Sequence, residues 1–469
     1  MSSSPLTRRQ VLSLAAKFAA AACALKLSGR TKSVREFNVR DFGAAGDGAT
    51  LDSVAIQRAI DEAAAAGAGA RVIVPGRRRY LIGTIQLKGA IEFHLADDAV
   101  LLASTRPEDY GSAGAVLTAR DVQGLSLTGP GRIDGRSREF MTHFDEVDEW
   151  WRPGAFRPRL ALLAGCRDLE VREVTFEQAP SWTLHLVGCE RVLVDAVKID
   201  NQLDVPNCDG IDPDHCRGVE IRNCRIVCGD DPIVIKAARP FAAYGGSSNI
   251  HVHDCVIETQ SSGVKIGTET VCDIHHIRFE RCEIRTGSRG CCIQLRDEGD
   301  VHDVLFRDIT FKSRYHSVPW WGRGEAISFT ALPRTPGSKV GRIHDVRVEN
   351  ATGLAENSVR ISGGPESRIG NVAFDNVAVT LNRWTKYPGG VWDNRPTTAG
   401  PGIEEHGNPG IHVRFADNVS LQRCKIAWGD NRPDYFTHAL EAHDVTGLTH
   451  PDFIGEAAHP KRDAAIAIK

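Results

Sequence analysis

The hexapeptide Ile221-Arg-Asn-Cys-Arg-Ile226 is one copy of a pattern that recurs along this chain: apolar, polar, polar, small apolar, polar, apolar. The small apolar residue falls at positions 174, 197, 224, 255, 282 and 309, and the pattern returns around Ala351, Val377 and Cys424. Short β-rich runs that repeat at this interval, with Gly, Asn and Asp between them and no helical periodicity, are typical of a solenoid of strands. The sequence therefore predicts an all-β fold, a parallel β-helix.

A β-sandwich is the alternative all-β architecture. It would show Asn-Gly or Asp-Gly hairpin turns at spacings of about 8–12 residues, and these are not the dominant pattern. The chain has 469 residues, 42% of them hydrophobic, with 45 glycines, which is long enough for about two or three ordinary domains. Because the repeat runs through most of it, we expect one elongated unit over residues 36–469, with the N-terminal cap and first coils over residues 36–110.

A helical pattern precedes the repeat. Four apolar residues recur at helical spacing and predict a helix over residues 52–66: Ile56, Ala59, Ile60 and Ala63. Asp52 or Ser53 would cap its first turn, and Gly67 would end it. Such a helix would cover the open end of the first coil. Residues 39–48 just before it are interpreted as a strand and a Gly-rich turn, without the spacing of a phosphate-binding loop.

The N-terminus carries Thr7-Arg-Arg-Gln10 followed by an Ala-rich apolar stretch that reaches Leu27. This arrangement resembles a twin-arginine signal peptide over residues 1–30 and predicts export to the periplasm or beyond the cell. The stretch is short and contains Lys17 and Lys26, so no membrane span is predicted. Lipid attachment at Cys23 stays open. The net charge of −3 gives no electrostatic reason to expect a nucleic acid partner.

The repeat accounts for several of the thirteen cysteines. Four of them occupy the small apolar position and predict a buried ladder of thiols: Cys224, Cys255, Cys282 and Cys424. No CxxC pair or Cys/His cluster accompanies them, so no metal site and no cofactor are predicted. Disulfides elsewhere, for instance between Cys216 and Cys228, stay open in an exported chain.

Three carboxylates stand out within the repeat. Asp209 lies in the segment Asn207-Cys-Asp-Gly-Ile-Asp212, and Asp230 and Asp231 lie one coil later in Gly229-Asp-Asp-Pro-Ile-Val-Ile-Lys236. Carboxylates on an apolar strand are costly to desolvate and repel one another, so they indicate acid–base chemistry or a bound cation. Coils stack at about 4.8 Å, and aligning them puts one residue from each in a column: Asp209, Asp231, Ser262 and Arg289.

Several motifs in succession resemble the polygalacturonases, glycoside hydrolase family 28. They are Asn38-Val-Arg-Asp-Phe-Gly-Ala-Ala-Gly-Asp-Gly48, Ala55-Ile-Gln-Arg-Ala-Ile60, Gly129-Pro-Gly-Arg-Ile-Asp-Gly135 and the two acidic segments. The resemblance covers residues 36–312 well and implies a right-handed, pectin-degrading β-helix. It assigns Asp209 and Asp231 as the base that holds the attacking water, and Asp230 as the acid. It also implies an inverting mechanism, in which acid and base carboxyl groups stand about 6.5–9.5 Å apart.

The sequence departs from the family where the substrate binds. Ser262 stands in place of the His of Gly-His-Gly, and Cys292-Ile-Gln294 stands in place of an Arg-Ile-Lys motif that grips a galacturonate carboxylate. Losing such a charge-assisted pair removes about 2–5 kcal/mol of binding to a uronate. We therefore expect a carbohydrate substrate other than plain homogalacturonan, with rhamnogalacturonan-type or substituted side-chain structures as the leading candidates.

Other polar residues could compensate for these losses. In the overlay of coils, Lys265 lies one coil from Cys292, Lys236 aligns with Gln294, and Glu269 aligns with Arg296. The predicted substrate-binding residues are Asn207, Lys236, Ser262, Lys265, Glu269, Gln294 and Arg296. A Glu269–Arg296 pair could instead be a salt bridge between coils with no part in catalysis, and Lys265 could extend along an apolar face towards water.

Aromatic residues crowd the insertions: Trp150, Trp151, Trp182, Trp320, Trp321, Trp384, Tyr387 and Trp392. Sugar faces stack on such rings, although each ring could equally anchor a long loop on the solenoid. The insertions around residues 314–324 and 383–410 could close one end of a groove and favour exo-cleavage.

Two other functions stay open. A polysaccharide lyase on the same scaffold would use the carboxylates to hold Ca²⁺ and a Lys or Arg to abstract a proton next to a uronate. A non-catalytic glycan-binding β-helix would fit the missing His, Arg and Lys, but it would have no need for an adjacent acid pair.

Overall fold

The computed structural model describes residues 34–469, so the predicted signal peptide and Cys23 lie outside the described residues. Within this part of the chain, short strands pair in parallel with the equivalent strands of the coils before and after, and each coil contributes to three faces. Val219, for example, pairs with Ile250, which pairs with Ile277. The fold is a right-handed parallel β-helix, as predicted.

The strands of each face follow one another in chain order. The first face contains Ile85–Gln86, Ala115–Arg120, Arg159–Ala164, Leu184–Val187, Ile211–Asp214, Val234–Ala237, Ser262–Thr270, Arg289–Leu295, Glu325–Ala331, Asn357–Ser362, the start of Ile411–Gln422, Leu440–Thr446 and Ile466–Ile468. The second contains Arg35–Asn38, Ala70–Val74, Ile91–Leu95, Ser126–Thr128, Arg167–Arg172, Glu190–Asp195, Arg217–Arg222, Ser247–His253, Ile274–Glu280, Val301–Arg307, Ile343–Glu349, Ile369–Asp375 and the rest of Ile411–Gln422. The third contains Asp47–Leu51, Arg78–Ile82, Ala99–Ala103, Arg132–Asp134, Thr175–Glu177, Lys198–Asp200, Arg225–Cys228, Val256–Thr259, Glu283–Gly287, Thr310–Ser313, Thr352–Ala355, Ala378–Leu381 and Lys425–Trp428.

A residue in the left-handed backbone conformation forms the corner between the second and third faces of the coils. The residues at this corner have φ between +50° and +63°: Glu173, Ala196, Asn223, Asp254, Arg281 and Asp308. Asn and Asp tolerate this conformation better than other residues with a side chain, which accounts for their frequency here. The next residue is the small apolar residue of the repeat, and it points into the core. The predicted cysteine ladder is confirmed, because Cys224, Cys255, Cys282 and Cys424 are all buried.

The structure contains no disulfide among residues 34–469, a question that the sequence left open. All twelve cysteines in this part of the chain are free thiols. The Sγ of Cys216 contacts the Leu186 carbonyl oxygen at 3.3 Å, and the Sγ of Cys228 contacts the Asp230 carbonyl oxygen at 3.0 Å. These thiols therefore fill core space and donate to backbone carbonyl oxygens, Cys216 to the preceding coil and Cys228 within its own coil.

The predicted cap helix spans Ser53–Ala66 and buries Ile56, Ala59, Ile60 and Ala63. It packs against the strands Ala70–Val74, Ile85–Gln86 and Ile91–Leu95, and so covers the first coils. Asp52 makes no side-chain cap; its carboxylate instead accepts hydrogen bonds from the Ala45 and Gly46 amides.

The predicted strand at residue 39 is wrong, because Val39–Phe42 is a 3₁₀ turn. The other 3₁₀ turns are Pro107–Tyr110, Ser137–Phe140 and Arg239–Tyr244. Two antiparallel hairpins lie in the insertions, Met141–Asp145 with Trp150–Pro153 and Val391–Asp393 with Ile403–Glu405. Among residues 34–469, no helix has the length and apolar character needed to cross a membrane.

Candidate active site

The three sequence-predicted carboxylates meet at the start of two neighbouring strands of the first face. Asp209 precedes Ile211–Asp214, and Asp230 and Asp231 precede Val234–Ala237. The Gly210 amide donates to the Asp231 carbonyl oxygen at 2.9 Å, which fixes the two coils in register. Each carboxylate offers one oxygen that lies within 4.8 Å of an oxygen from the other two. The parallel coils therefore concentrate three acidic groups in one place.

Asp231 is buried and fully engaged. One carboxylate oxygen accepts a 2.7 Å hydrogen bond from the Ser261 hydroxyl, and the other accepts a 2.6 Å bond from the Lys265 ammonium. Burial alone would raise the pKa of Asp231, but Lys265 and Lys236 outweigh it and the pKa falls below its ordinary value. Asp231 is thus the ionised member of the cluster.

Asp209 has a different environment. Lys236 Nζ lies 3.3 Å from one Asp209 oxygen and 3.1 Å from Asp212, and it stands 3.8 Å from the centre of the Trp182 ring. The other Asp209 oxygen is buried and has no hydrogen-bond partner in the protein. Burial raises the pKa of Asp209 to about 8, and repulsion from Asp212 and Asp231 adds to the effect of burial. Asp209 therefore favours the protonated form near neutrality.

Asp230 is half-buried and oriented by the backbone. Its two carboxylate oxygens accept hydrogen bonds from the Asn207 amide at 3.1 Å and from the Asp231 amide at 2.9 Å. Its own carbonyl oxygen accepts a 2.6 Å bond from Thr259. Burial raises the pKa of Asp230 to about 7, and the charges of Asp209 and Asp231 contribute. A carboxyl group with this pKa can donate a proton near neutral pH.

A cavity of about 290 Å³ opens onto the three carboxylates. Four of the predicted substrate-binding residues line it: Asn207, Lys236, Lys265 and Glu269. Thr268 and Pro319 also line the cavity, together with the aromatic residues Trp150, Trp182, Trp320 and Trp321. Asn207 is fixed from outside the cavity by Arg157, whose guanidinium donates to the Asn207 side chain at 2.9 Å.

Three predicted substrate-binding residues, Ser262, Gln294 and Arg296, do not reach the cavity. The Ser262 hydroxyl is buried without a hydrogen-bond partner in the protein. Gln294 donates to the Arg395 carbonyl oxygen at 3.1 Å, and Arg296 donates to the Asn394 carbonyl oxygen at 3.1 Å. The insertion over residues 383–410 folds onto this part of the first face and buries it. Burial lowers the pKa of Arg296 to about 9.

Aligning the sequences of successive coils predicted the correct neighbouring residues but not every side-chain contact. Ser262 pairs with Arg289, and Lys265 pairs with Cys292, as predicted. Glu269 forms no ion pair with Arg296, although Thr268 and Leu295 are paired just before them; Glu269 accepts a 3.0 Å hydrogen bond from Thr268 instead. Arg289 is neutralised within the protein by Glu325 of the next coil, at 3.4 Å.

Three insertions interlock to form a wall at one side of the cavity. Trp150 of the first hairpin packs edge-on against Trp320, with ring centres 5.5 Å apart. The Ser317 hydroxyl donates to the Asp148 carbonyl oxygen at 2.5 Å, and Arg395 donates to the Trp320 carbonyl oxygen at 2.8 Å. Lys386 and Tyr387 both contact Glu149. Residues 148–151, 317–321 and 386–395 thus pack together as one wall, and Trp150, Pro319, Trp320 and Trp321 are the members of it that line the cavity.

The aromatic residues divide between the two roles that the sequence left open. Trp150, Trp182, Trp320 and Trp321 line the cavity. Trp392 is buried and packs against His406 and His412 as a loop anchor.

Four residues that matter here were not predicted: Ser261, Asp212, Thr268 and Arg157. Ser261 and Asp212 lie next to predicted residues in the same motifs. Their side chains contact residues of the neighbouring coil, and the motifs alone do not predict these contacts. Arg157 belongs to an insertion that does not contain the repeat. Its position relative to the coils could therefore not be predicted from the sequence.

Two groups of side chains in the described part of the chain bring potential metal ligands together. They are Asp209, Asp230 and Asp231, and His406, His412 and Glu441, with ligand atoms within 4.8 Å of one another in each group. In the first group, Lys236 and Lys265 already compensate much of the negative charge. In the second, Glu441 is hydrogen-bonded to His412 and His443.

Comparisons with known proteins agree with the geometry. Residues 66–387 match the family described as Glycosyl hydrolases family 28, and residues 36–88 match Rhamnogalacturonase A/epimerase, pectate lyase-like. A probable polygalacturonase from Vitis vinifera is 27% identical over 378 residues, which cover 73% of each chain. A hyperthermoactive exopolygalacturonase structure from Thermotoga maritima has a TM-score of 0.67 at 21% identity, over 84% of this chain and 92% of its own.

A family 28 exopolygalacturonase structure from Yersinia enterocolitica also has a TM-score of 0.67, at 17% identity, over 91% of this chain and 79% of its own. At these identities the two structures establish the shared fold. The family match, by contrast, extends over more than half of the sequence and includes all three carboxylates. The chain therefore belongs to glycoside hydrolase family 28 and is a glycoside hydrolase.

Proposed function

We propose that this protein hydrolyses a glycosidic bond in a pectin-related glycan by acid–base catalysis with inversion. The observation that carries the proposal is the difference in protonation between two adjacent residues. Asp231 is paired with Lys265 and has a lowered pKa, whereas burial raises the pKa of Asp230 to about 7. One group can accept a proton while its neighbour donates one, as glycoside hydrolysis requires.

The proposed reaction proceeds in one displacement. Asp230 gives its proton to the glycosidic oxygen as the bond from this oxygen to the anomeric carbon breaks. A water between Asp209 and Asp231 attacks the anomeric carbon, and Asp231 accepts the proton that the water releases. Asp209, which favours the protonated form, orients the water. The products are a sugar with a new anomeric hydroxyl and a leaving sugar that carries the proton of Asp230.

Inversion is proposed from the residue-by-residue resemblance to the family and not from the separation of the carboxyl groups. The nearest oxygens of the three aspartates lie within 4.8 Å of one another, whereas inverting enzymes usually separate acid and base by about 6.5–9.5 Å. The support is that Asp209 and Asp231 stand in adjacent coils, with Asp230 offset by one residue. This arrangement lets one pair hold water while the third group faces the leaving oxygen.

The charge of the cavity supports a substrate other than plain homogalacturonan. Lys265 is paired with Asp231, and Lys236 is shared by Asp209 and Asp212. Glu269 adds a further negative charge to the lining. A uronate in this cavity would therefore compete with aspartates that already contact both lysines of the lining. The polygalacturonase names of the relatives point to pectin, and the cavity favours a neutral sugar at the cleaved position.

Exo-cleavage is the proposed mode of action. The interlocked insertions shut the cavity on the side of Trp150 and Trp320. The volume of about 290 Å³ lies at the lower end of small-molecule pockets, which span about 300–1,000 Å³. One terminal sugar fits such a space, whereas an internal stretch of glycan would need an opening on both sides.

A panel of defined glycans, including unsubstituted polygalacturonate, tests the proposal. Reducing ends and ultraviolet absorbance are measured in parallel, so that hydrolysis is separated from a calcium-dependent lyase reaction. Asp230→Asn should lower turnover by about two to four orders of magnitude and leave the melting temperature nearly unchanged. Full activity of Asp230→Asn would remove this residue from the mechanism, and binding without turnover by the wild type would favour a glycan-binding protein.

Export is proposed separately, from the twin-arginine pattern of residues 1–30. The β-helical domain over residues 36–469 would be the exported part. Replacement of Arg8 and Arg9 by Lys should retain the protein in the cytoplasm, which fractionation of expressing cells would reveal.

A further inference from the structure

A second cavity, of about 580 Å³, adjoins the catalytic cavity. Glu269 lines both of them. The strand Val234–Ala237 carries Lys236 in the first cavity and continues through Ala238 to Arg239 in the second. Arg334 lines the second cavity and donates a 2.8 Å hydrogen bond to the carbonyl oxygen of Thr268, which lines the first. The two cavities are therefore adjacent and are lined by neighbouring residues of the same segments.

No residue of the wall segments 148–151, 317–321 and 386–395 lines the second cavity, which meets the catalytic cavity at Glu269. Trp150 and Trp320 meet on the closed side, whereas Glu269 marks the passage into the second cavity. A glycan with its terminal sugar in the catalytic cavity would continue past Glu269. The second cavity is then the place of the sugar on the far side of the cleaved bond.

Ion pairs account for most charges in the second cavity. Arg239 makes two hydrogen bonds to Glu298, at 3.0 and 2.9 Å. Arg334 makes two hydrogen bonds to Asp297, both at 2.9 Å. Lys339 also lines the cavity, and within residues 34–469 its exposed ammonium has no ion pair or hydrogen bond. Lys339 is thus a positive charge without an ion-pair partner in the second cavity, and Glu269, at the passage between the two cavities, is the one unpaired carboxylate among the described residues that line this second cavity.

We propose that the second cavity binds an acidic sugar, whose carboxylate pairs with Lys339 while the catalytic cavity holds a neutral terminal sugar. This inference rests on the proposed function and specifies its substrate: a glycan in which a neutral unit is attached to a uronic acid. The paired arginines keep Asp297 and Glu298 from repelling the uronate. An ammonium on a flexible stem can adjust to carboxylates in more than one orientation.

Two oligosaccharides that differ by one group test the proposal. Both carry the same neutral terminal sugar; in one the adjacent sugar is a uronic acid, and in the other its carboxyl group is reduced to an alcohol. The ratio of kcat/KM values measures the preference for the acid, and calorimetry on the full chain measures the ratio of Kd values. The wild type should prefer the uronate, and the preference should weaken as salt is raised.

Variants of Lys339 supply the decisive comparison. Lys339→Gln should reduce the preference by about threefold, in keeping with an exposed ion pair, and Lys339→Glu should reverse it. Lys461 is another exposed lysine, in a turn that lines neither cavity, and Lys461→Gln should leave the preference at the wild-type value. A preference that survives Lys339→Glu, or equal binding of both oligosaccharides by the wild type, would overturn the inference.

The outcomes separate this inference from the proposed function. If hydrolysis depends on Asp230 but is equally fast for both oligosaccharides, the proposed function stands and the acidic subsite is refuted. Preferential binding of the uronate that depends on Lys339, without hydrolysis of either oligosaccharide, would support the subsite and refute the catalytic proposal. Absence of binding to both oligosaccharides would refute the subsite outright.

Discussion

Lys265 Nζ lies 2.6 Å from Asp231 Oδ2, and both side chains are buried. The pair joins two coils, because Asp231 precedes Val234–Ala237 and Lys265 belongs to the next strand of the same face. Its electrostatic effect is to keep Asp231 ionised in a cluster where burial raises the pKa of Asp209 and Asp230. Lys265, together with Lys236 and the Ser261 hydroxyl, thereby distinguishes Asp231 from the other two carboxylates.

Replacement of Lys265 by Met is expected to lower both stability and activity. A buried carboxylate that loses its partner costs about 3–5 kcal/mol of unfolding free energy, and the pKa of Asp231 should rise. The lowered pKa of Asp231 gives the wild type stability that is fully present above the unfolded value of about 3.9 and is lost as pH falls through the folded pKa. Denaturant unfolding at pH 7 and at pH 3 would measure both effects.

The double variant Lys265→Met/Asp231→Asn provides the control. It removes the charge together with its partner, so most of the lost stability should return while activity stays absent. Wild-type stability of Lys265→Met alone would show that the ion pair does not govern the ionisation of Asp231.

The pH dependence of kcat/KM should show an alkaline limb near pH 7. Asp230 must carry a proton to act as the acid, and its pKa is about 7. The acidic limb should lie below the ordinary range of an aspartate, because the pKa of Asp231 is lowered. Because neighbouring carboxylates titrate together, the two limbs report the cluster and not a single residue.

Stopped assays across pH 3–9 on a soluble substrate, with enzyme stability checked at each pH, would measure both limbs. Glu269→Gln is a matched comparison, because it removes a charge from the cavity lining but leaves the three aspartates unchanged. Its alkaline limb should shift only slightly. Full activity of the wild type at pH 9 would contradict the assignment of Asp230 as the acid.

The sequence was sufficient for the features that repeat from coil to coil. The repeat of the hexapeptide predicted the fold. The alignment of coils that follows from this repeat predicted that Ser262 lies next to Arg289 and Lys265 next to Cys292. The three aspartates could be placed together because adjacent coils stack in register. The contact between Lys265 and Asp231 was not predicted, because a long side chain can reach beyond the residue directly opposite its own backbone.

The insertions could not be placed from the sequence. Nothing in the pattern of residues 383–410 indicates that Asn394 and Arg395 accept hydrogen bonds from Arg296 and Gln294. These contacts join segments about a hundred residues apart and follow no period. Gln294 and Arg296 lie outside the cavity for this reason, since both are covered by a loop that the alignment of coils does not include.

Hydrolysis should invert the anomeric configuration. If the water between Asp209 and Asp231 attacks from the side opposite the leaving oxygen, the first product has the opposite anomeric form to the substrate. Proton NMR within the first minutes, before mutarotation, would observe it. Retention would require a covalent intermediate on one of the aspartates and would refute the base assignment.

The wall between Trp150 and Trp320 should determine where the enzyme cuts. Since the insertions shut the catalytic cavity on this side, the wild type should release only small products from a chain end, without an early ladder of intermediate lengths. Trp320→Ala removes one side of the wall, so longer products should become detectable at early times. Trp384→Ala alters an aromatic residue of the 383–410 insertion that lies outside the wall segment 386–395 and does not line the cavity. Its products should match those of the wild type. Products are separated by size after less than a few per cent of the substrate has been converted. A ladder of intermediate lengths from the wild type would show that the cavity admits internal segments of the glycan despite the wall.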